Sequence, residues 1–268
     1  MLKKLIIILL CLFIFTACSS DKTIVYSNLG NNASQQELIK ILKGADLPNS
    51  NIEQFINYVN DFNQFASSLV GDFKELPTND PHYDYFNYNG DSQSDVNSLI
   101  PSFTLIKDLI STNNDANEND TYLMYNLELI NKKKYSISKA DRLKFITTFN
   151  SISVSGIKNN KISHINQIKK TFNDRNFEVK GNNNISLITL WCHFALENRR
   201  FVSHCGVLID EGVDLCFIEK YGSSYPYQIT KFNNRKELTT YLLSRDDING
   251  DENDGQPLIF ENNEYIGY

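Results

Sequence analysis

The sequence predicts an α+β fold in which N-terminal helices pack on a C-terminal antiparallel sheet. Two observations indicate this fold. Apolar residues recur at helical spacing before Gly181, and strand-like runs separated by turns follow it. Helices followed by strands are typical of α+β proteins, because each group forms its own layer. We therefore expect one domain over residues 26–268, with a helical half at 26–180 and a sheet half at 181–268.

The helices are predicted from capping patterns and apolar stripes. Ser34-Gln35-Gln36-Glu37 and Ser50-Asn51-Ile52-Glu53 each resemble a capping box, in which serine and glutamate side chains bond free N–H groups of the first turn. A third helix is expected to begin near Ser98, and Pro101 suits its first turn. Further helices are predicted at about 121–132, 138–150 and 162–173.

A loop with clustered aromatic residues separates the second and third helices. Residues 71–97 contain two prolines, several acids and the ring side chains of Tyr83, Tyr85, Phe86 and Tyr88. Long loops in folded domains are often functional or lie over a site. We therefore expect Tyr83–Tyr88 to form part of the rim of a cleft.

The sheet half is predicted as consecutive antiparallel strands. Asp210-Glu211-Gly212 has the composition of a hairpin turn between the second and third of them. The predicted strands are 185–194, 200–209, 213–221 and 225–232, followed by a helix at 234–244 and a strand near 257–260.

The side chains of the second predicted strand alternate between two faces. One face carries His204 and the other carries Cys205, so these neighbours cannot act as a base and its nucleophile. We interpret Cys205 as a core residue. The expected members of the His204 face are Val202, Gly206 and Leu208, and those of the Cys205 face are Ser203, Val207 and Ile209.

The N-terminal residues predict export. Lys3 and Lys4 precede an apolar run at 5–15, which is typical of a secretory signal. The run is shorter than the ~20 residues that a transmembrane helix needs. We expect a signal peptide at 1–17.

A lipid anchor is predicted at the end of that signal. Phe15-Thr16-Ala17-Cys18 resembles a bacterial lipobox, which implies cleavage before Cys18 and acylation of that residue. The alternative is a plain signal peptide followed by a chance cysteine. The lipobox interpretation gives a lipidated tether at 18–25 and a location on the extracytoplasmic face of the bacterial cell membrane, with the lipid as the contact to the membrane.

Charge and cysteine content narrow the class of protein. The 268-residue chain has a formal charge of −6, and removal of Lys3 and Lys4 with the signal peptide makes it −8. An acidic exported protein is a poor candidate for binding nucleic acid. Beyond Cys18 the chain contains Cys192, Cys205 and Cys216, an odd number that permits at most one disulfide among them. We expect all three to be small buried side chains.

No metal or cofactor is predicted. The chain contains no paired-histidine, CxxC or glycine-rich phosphate motif, and we interpret His193 as a core or edge residue. The segment Asp246–Gly255 resembles a calcium loop in its alternating oxygen side chains, but Glu252 and Leu258 occupy positions that such a loop gives to glycine and a bidentate acid. A solvated acidic loop is the favoured interpretation, with calcium binding as the alternative.

The candidate catalytic residues centre on His204. Glu219 lies across the predicted hairpin from His204, where its carboxylate can hold the imidazole in one tautomer. Gly206, two residues further on the same face, leaves room beside the ring for a substrate or for close backbone. A hydrolase built on this pair needs a nucleophile from elsewhere in the chain.

Two resemblances extend this interpretation. His204-Cys205-Gly206 followed by Phe217-Ile218-Glu219 is similar to the histidine strand and the next polar strand of the NlpC/P60-like papain-type hydrolases. Nearly all of residues 26–268 resembles an uncharacterised Gram-positive lipoprotein family, domain of unknown function 4300. The segments that carry the second resemblance are Tyr26–Leu29, Ser34-Gln35, Phe55 to Asn63, Ile185–Ile188, His204–Ile209, Phe217–Lys220, Pro226–Gln228, Lys231-Phe232, Gln256-Pro257 and Glu261-Asn262.

The resemblance implies a papain-like architecture and a place for the nucleophile. The family pattern has an Asn-Cys-Arg step at the start of the middle helix, whereas this chain has Asn97-Ser98-Leu99. Ser98 is then an ordinary helix N-cap, the relic of a cysteine site, or a working serine nucleophile.

Two functions remain open at this stage. In the favoured one, a degenerate papain-like domain on the cell surface binds a peptidoglycan fragment, another envelope component or a surface protein. In the other, a cell-envelope hydrolase cleaves peptidoglycan amide bonds with Ser98 as nucleophile, His204 as base and acid, and Glu219 as the group that orients His204.

Overall fold

The main sheet is antiparallel, and its central strand carries His204. A computed structural model gives the structure, and it describes residues 22–77, 87–91, 95–113, 115–155, 160–181, 184–245, 247–248 and 254–267. The helices of this part of the chain are α1 (Asn32–Gly44), α2 (Asn49–Asn63), α3 (Leu99–Ile106), α4 (Met124–Ile130), α5 (Lys139–Phe149), α6 (Lys161–Asp174) and α7 (Arg235–Ser244). The predicted α+β class is confirmed.

The described part of the chain contains short strands in its N-terminal half and long strands after residue 184. They are β1 (Val25–Ser27), β2 (Ala66–Ser67), β3 (Lys74–Glu75), β4 (Asn87–Tyr88), β5 (Ile110–Ser111), β6 (Ile152–Ser153), β7 (Glu178–Val179), β8 (Ile185–Phe194), β9 (Arg199–Asp210), β10 (Leu215–Lys220), β11 (Tyr227–Phe232), β12 (Leu258–Glu261) and β13 (Glu264–Tyr265). The strand order of the main sheet is β13-β12-β8-β9-β10-β11-β1-β3, and β6 pairs with β9.

The long strands match their predicted positions closely, whereas β1 was not predicted. β1 pairs with β11 through Val25 and Lys231 and with β3 through Val25 and Glu75, inside what was expected to be tether. Three residues are too few to show the alternation by which a strand is recognised. The predicted starts of the first two helices were also wrong, because Asn31 caps α1 by accepting from the Ser34 N–H, and α2 begins after Pro48.

The sheet has two covered faces. We call the face of Cys205 the broad face, because the large hydrophobic core that includes Phe55 of α2 and Phe103 of α3 lies against it. We call the face of Leu208 the narrow face, which is covered by α7 through residues such as Leu238. Apolar side chains are therefore buried on both faces of β9 and β10, so neither face of these strands is open to solvent.

A β-bulge changes the expected alternation along β9. Leu190 pairs with His204 but Trp191 pairs with Val202, so Ser203 is an extra residue in β9. Such a residue re-aims the side chains that precede it. Val202 consequently packs in the core of the broad face while Leu208 packs in that of the narrow face, and the prediction that both share one face was wrong.

The cysteines are buried thiols, as predicted. Cys192, Cys205 and Cys216 carry buried thiols and form no disulfide with one another. Within the described ranges, no helix combines the length and the apolar character that crossing a membrane requires.

Candidate functional site

His204 and Glu219 meet on the narrow face, as the hairpin register predicted. Glu219 of β10 pairs with Gly206 of β9, which places His204 diagonally opposite the carboxylate. The distance from His204 Nε2 to Glu219 Oε2 is 2.6 Å. The two residues are only 3% and 1% exposed, so the pair lies inside the protein.

Two residues of the α7 region complete this cluster. Arg245 Nη1 donates to Glu219 Oε2 at 2.6 Å, and the Tyr241 hydroxyl donates to Glu219 Oε1 at 2.9 Å. The Arg245 guanidinium also lies 3.2 Å from the ring centroid of Tyr221 and donates to the Tyr221 carbonyl at 3.0 Å. We call His204, Glu219, Tyr241 and Arg245 the narrow-face network. Tyr241 lies in α7 and Arg245 directly follows the helix, so the two residues are four apart and lie on the same helix face. This spacing is the sequence feature from which their presence in the network could have been predicted.

The electrostatics of the network favour one charge state. Burial by itself would raise the pKa of Glu219, but Arg245 and then His204 and Tyr241 outweigh it and hold that pKa at about 2. Burial and the nearby Arg245 lower the pKa of His204 below 6.5, despite its bond to Glu219. The resting state is therefore a neutral imidazole whose Nε2–H donates to a carboxylate that Arg245 already neutralises.

The space expected beside Gly206 is filled. A Cβ at Gly206 would lie 2.4 Å from the Phe217 ring and 2.8 Å from the Ile218 carbonyl oxygen. The glycine is therefore required because the Phe217 ring packs directly on the backbone of β9. Of the two expectations for Gly206, the close approach to other protein atoms is the one that is found, and no room for a substrate remains there.

Ser98 lies on the other side of the sheet. Its hydroxyl oxygen accepts a hydrogen bond from the Cys205 N–H at 3.1 Å, and Ser102 donates to the Cys205 carbonyl at 3.3 Å. Ser98 is 1% exposed and makes no side-chain capping bond to α3, whose Leu99 N–H is bonded by Asn97 instead. The serine thus fastens the start of α3 to β9.

Of the three predicted catalytic residues, the structure brings two together. Cys205, not His204, faces Ser98, and the Cys205 thiol donates to the Ser98 carbonyl at 3.5 Å. Successive residues of a strand point to opposite faces, so the imidazole of His204 is directed away from α3. Burial raises the pKa of the Cys205 thiol to about 12, which keeps this sulfur protonated and unreactive.

A second buried charge cluster lies on the broad face. Lys220 Nζ bonds Asp95 Oδ2 at 2.8 Å and the carbonyls of Gly222 and Tyr225, and it lies 3.9 Å from the Phe62 ring centroid. Burial lowers the pKa of Lys220 to about 8, against the opposing effect of Asp95. We call Lys220 and Asp95 the broad-face pair. No sequence pattern indicates this pair, because 125 residues separate the partners.

Tyrosines surround the broad-face pair at the protein surface. Tyr88 stacks on Phe62 with ring centroids 4.9 Å apart, and the Tyr125 hydroxyl bonds both the Asp95 carbonyl and Ser223. Tyr225 is partly exposed in the turn whose carbonyls bind Lys220. We call Tyr88, Tyr125 and Tyr225 the aromatic surface.

The remaining candidates give no metal centre in the described part of the chain. His193 is buried and its Nδ1 lies 2.9 Å from the Asp254 carbonyl oxygen, as expected for a core residue. In the acidic segment 246–255, Asp247 binds Arg245 at 2.8 Å. Asn249 and Asp251, two of the alternating oxygen side chains that make this segment resemble a calcium loop, lie outside the described residues, as do Tyr83, Tyr85, Phe86 and Cys18.

Comparison with known proteins identifies the family to which the chain belongs, but that family has no described activity. The family model described as domain of unknown function DUF4300 matches residues 25–266, so the chain belongs to this family. A search of curated proteins found no match, and a search of solved structures found none.

Proposed function

We propose that this protein is a lipid-anchored binding protein of the bacterial cell envelope, built on a papain-like domain that does not catalyse hydrolysis. The observation that carries the proposal is the separation of Ser98 and His204 on opposite faces of β9. Ser98 is bonded to the Cys205 N–H, and His204 is bonded to Glu219. A serine nucleophile needs a base within hydrogen-bond reach.

The papain-like part of the proposal is supported by the packing of α3. The helix begins beside β9 with Ser98 at its start, and α3 packs on β9 and β10. A central helix whose first residues contact the sheet is the arrangement that the family resemblance implies. In this chain the strand residue opposite Ser98 is Cys205.

The binding part of the proposal is supported by the aromatic surface. Tyrosine combines a large apolar ring with a polar hydroxyl, which suits ligands that have both apolar and hydroxyl-bearing faces. Tyr88, Tyr125 and Tyr225 are held around Asp95 by the turn of residues 221–226 and by the stack on Phe62. We propose that this surface binds a peptidoglycan fragment, with another envelope component or a surface protein as the alternative ligand.

Hydrolysis of peptidoglycan remains a second candidate because His204 and Glu219 do form a contact of 2.6 Å. In that case Ser98 would attack, His204 would serve as base and acid, and Glu219 would orient the ring. Such a site requires α3 to move relative to β9, since Ser98 and the imidazole lie on different faces.

The test uses the mature chain with Cys18→Ser, mixed with purified peptidoglycan. Cosedimentation measures binding, and chromatography of the supernatant measures released fragments. We expect binding without release, and we expect Tyr225→Ser to weaken binding several-fold while Ser98→Ala leaves it unchanged. Ile162→Ser on α6 is the matched control, because Ile162 is also an exposed large apolar side chain.

The outcomes separate the two functions. Release of fragments that His204→Gln abolishes would establish the hydrolase and refute the binding proposal. Equal binding by the Tyr225→Ser and Ile162→Ser variants would show that the aromatic surface is not the site.

A further inference from the structure

The chain is fixed to the folded domain from its first described residue. Lys22 Nζ lies 3.1 Å from Asp214 Oδ1, and the Asn233 side chain donates to the Lys22 carbonyl at 2.7 Å. Two residues later Ile24 accepts from the Leu76 N–H, and β1 begins. No flexible linker therefore separates Lys22 from the sheet.

The proposed lipid attachment is close to this point along the chain. Cys18 and Lys22 are separated by residues 19–21. A fully extended chain spans at most ~3.5 Å per residue, so the Cα atoms of Cys18 and Lys22 are within about 14 Å of each other in any conformation. An acylated Cys18 therefore keeps Lys22 near the lipid headgroups.

The surface around Lys22 is one end of the sheet. The β9–β10 turn and the start of α7 lie together there, and they line a shallow groove of about 220 Å³. We call this surface the Lys22 end. Val213 at the tip of the turn is 68% exposed, beside Gly212, whose φ of +79° suits glycine.

The charges of the Lys22 end are partly compensated, since Arg235 is shared between Asp210 and Glu261 and Glu211 in the turn is exposed. Asp214 pairs with Lys22 at 3.1 Å, and Asp210 pairs with Arg235 at 3.3 Å. Lys236 is also exposed at the start of α7. Paired acids reduce the repulsion that anionic headgroups would exert on the carboxylates, and the exposed lysine and Val213 suit a lipid surface.

The proposed binding surface lies beyond the other end of β10, which is level with the middle of β9 because Glu219 pairs with Gly206. β10 runs from Leu215 near the Lys22 end to Lys220, and the turn at 221–226 with Tyr225 follows. Leu196, 87% exposed, marks the far end of β9, about 35 Å from the β9–β10 turn at ~3.3 Å per residue.

We propose that the Lys22 end faces and contacts the membrane. In this orientation the strands of the main sheet run away from the membrane surface, and the aromatic surface lies on the side away from the bilayer. This inference rests on the lipid anchor of the proposed function. The partner that the Lys22 end contacts is the phospholipid headgroup layer, and the opposite end is left free for a ligand of the wall.

Two labelled variants test the orientation. Val213→Cys and, as the matched control, Leu196→Cys are expressed as full chains in a host that processes lipoproteins, and are labelled with a fluorophore. The native Cys192, Cys205 and Cys216 are buried and do not compete for the label. The proteins are reconstituted in phosphatidylcholine–phosphatidylglycerol vesicles that carry a nitroxide quencher on the headgroup.

We expect quenching at position 213 to be several-fold stronger than at position 196. Equal quenching, or stronger quenching at 196, from protein whose Cys18 is acylated by mass spectrometry would overturn the orientation and leave the anchor intact. Unmodified Cys18 together with no vesicle binding would overturn the anchor and the orientation together.

Discussion

The narrow-face network and the broad-face pair contain adjacent residues of β10, yet they belong to different environments. Glu219 points towards α7 and is enclosed with Arg245, His204 and Tyr241. Lys220 points to the other face and binds Asp95 beneath the aromatic surface. The alternation of a strand therefore places these two sets of buried charges on opposite faces, as it divides His204 from Cys205 and Ser98 on β9.

The two clusters differ in how they are linked to the protein surface. The narrow-face network is buried between α7 and the sheet, where Arg245 also contacts Tyr221 and the partly exposed Asp247, so it stabilises the packing of α7 on the sheet. The broad-face pair holds the turn 221–226 and the Asp95 backbone, both of which contact exposed tyrosines. The second cluster can transmit a structural change directly to the aromatic surface, where we propose that a ligand binds.

The largest expected effect comes from breaking the narrow-face network. Arg245→Ala leaves the Glu219 carboxylate buried without its cation, and loss of one partner of a buried pair costs about 3–5 kcal/mol. Urea denaturation followed by circular dichroism measures the free energy of unfolding. Arg235→Ala is the control on the same helix, because its ion pairs are partly exposed and contribute at most about 1 kcal/mol. Equal losses in both variants would contradict the distinction.

Breaking the broad-face pair should have a smaller effect on stability and a larger one on binding. Lys220→Met removes the cation from Asp95, which still accepts from the Ser224 N–H at 2.8 Å. We expect a loss of about 2–3 kcal/mol, below the range for a fully enclosed pair, together with weaker cosedimentation with peptidoglycan. Adding Asp95→Asn should recover part of the stability, since it removes the unpaired charge. No recovery would show that the Lys220 contacts to Gly222 and Tyr225 dominate.

The pH dependence of stability should report the narrow-face network. The folded pKa of His204 is lowered below 6.5, so the unfolded chain binds a proton that the folded protein does not, and stability falls as pH drops through 6.5. Glu219, with a folded pKa of about 2 against an ordinary 4.5, adds a second loss as pH falls below about 4.5 towards 2.

Each such proton contributes a slope of up to about 1.4 kcal/mol per pH unit. His204→Gln should reduce the slope of unfolding free energy between pH 7 and pH 5, with the remainder supplied in part by His193, whose pKa burial also lowers. Urea titrations across this range measure the slope. An unchanged slope in the variant would mean that His204 does not resist protonation in the folded protein.

The smallest expected effect is at the exposed Lys22–Asp214 pair. Asp214→Asn removes an ion pair between partly exposed side chains, and such pairs are worth about 0–1 kcal/mol. The unfolding midpoint should hardly change, whereas Arg245→Ala shifts it strongly. A large shift of the unfolding midpoint would indicate that the ion pair of Lys22 with Asp214 stabilises the protein more than partly exposed ion pairs normally do.

The α+β class, the positions of the long strands and the contact between His204 and Glu219 could all be predicted from the amino-acid sequence. These features depend on local signals: apolar periodicity, and a short hairpin whose register fixes which residues face each other. The burial of the three cysteines as thiols was also predictable from their apolar neighbours. The lipid anchor at Cys18 remains a prediction from the lipobox pattern.

The surroundings of those residues depend on tertiary contacts that the sequence does not reveal. Arg245 reaches Glu219 across 26 residues of sequence, and Lys220 reaches Asp95 across 125. The face on which α3 docks placed Ser98 against Cys205, and the bulge at Ser203 moved Val202 to the broad face. Such contacts join segments that are distant in sequence, and no periodicity or short motif encodes which side of a shared strand each segment will cover.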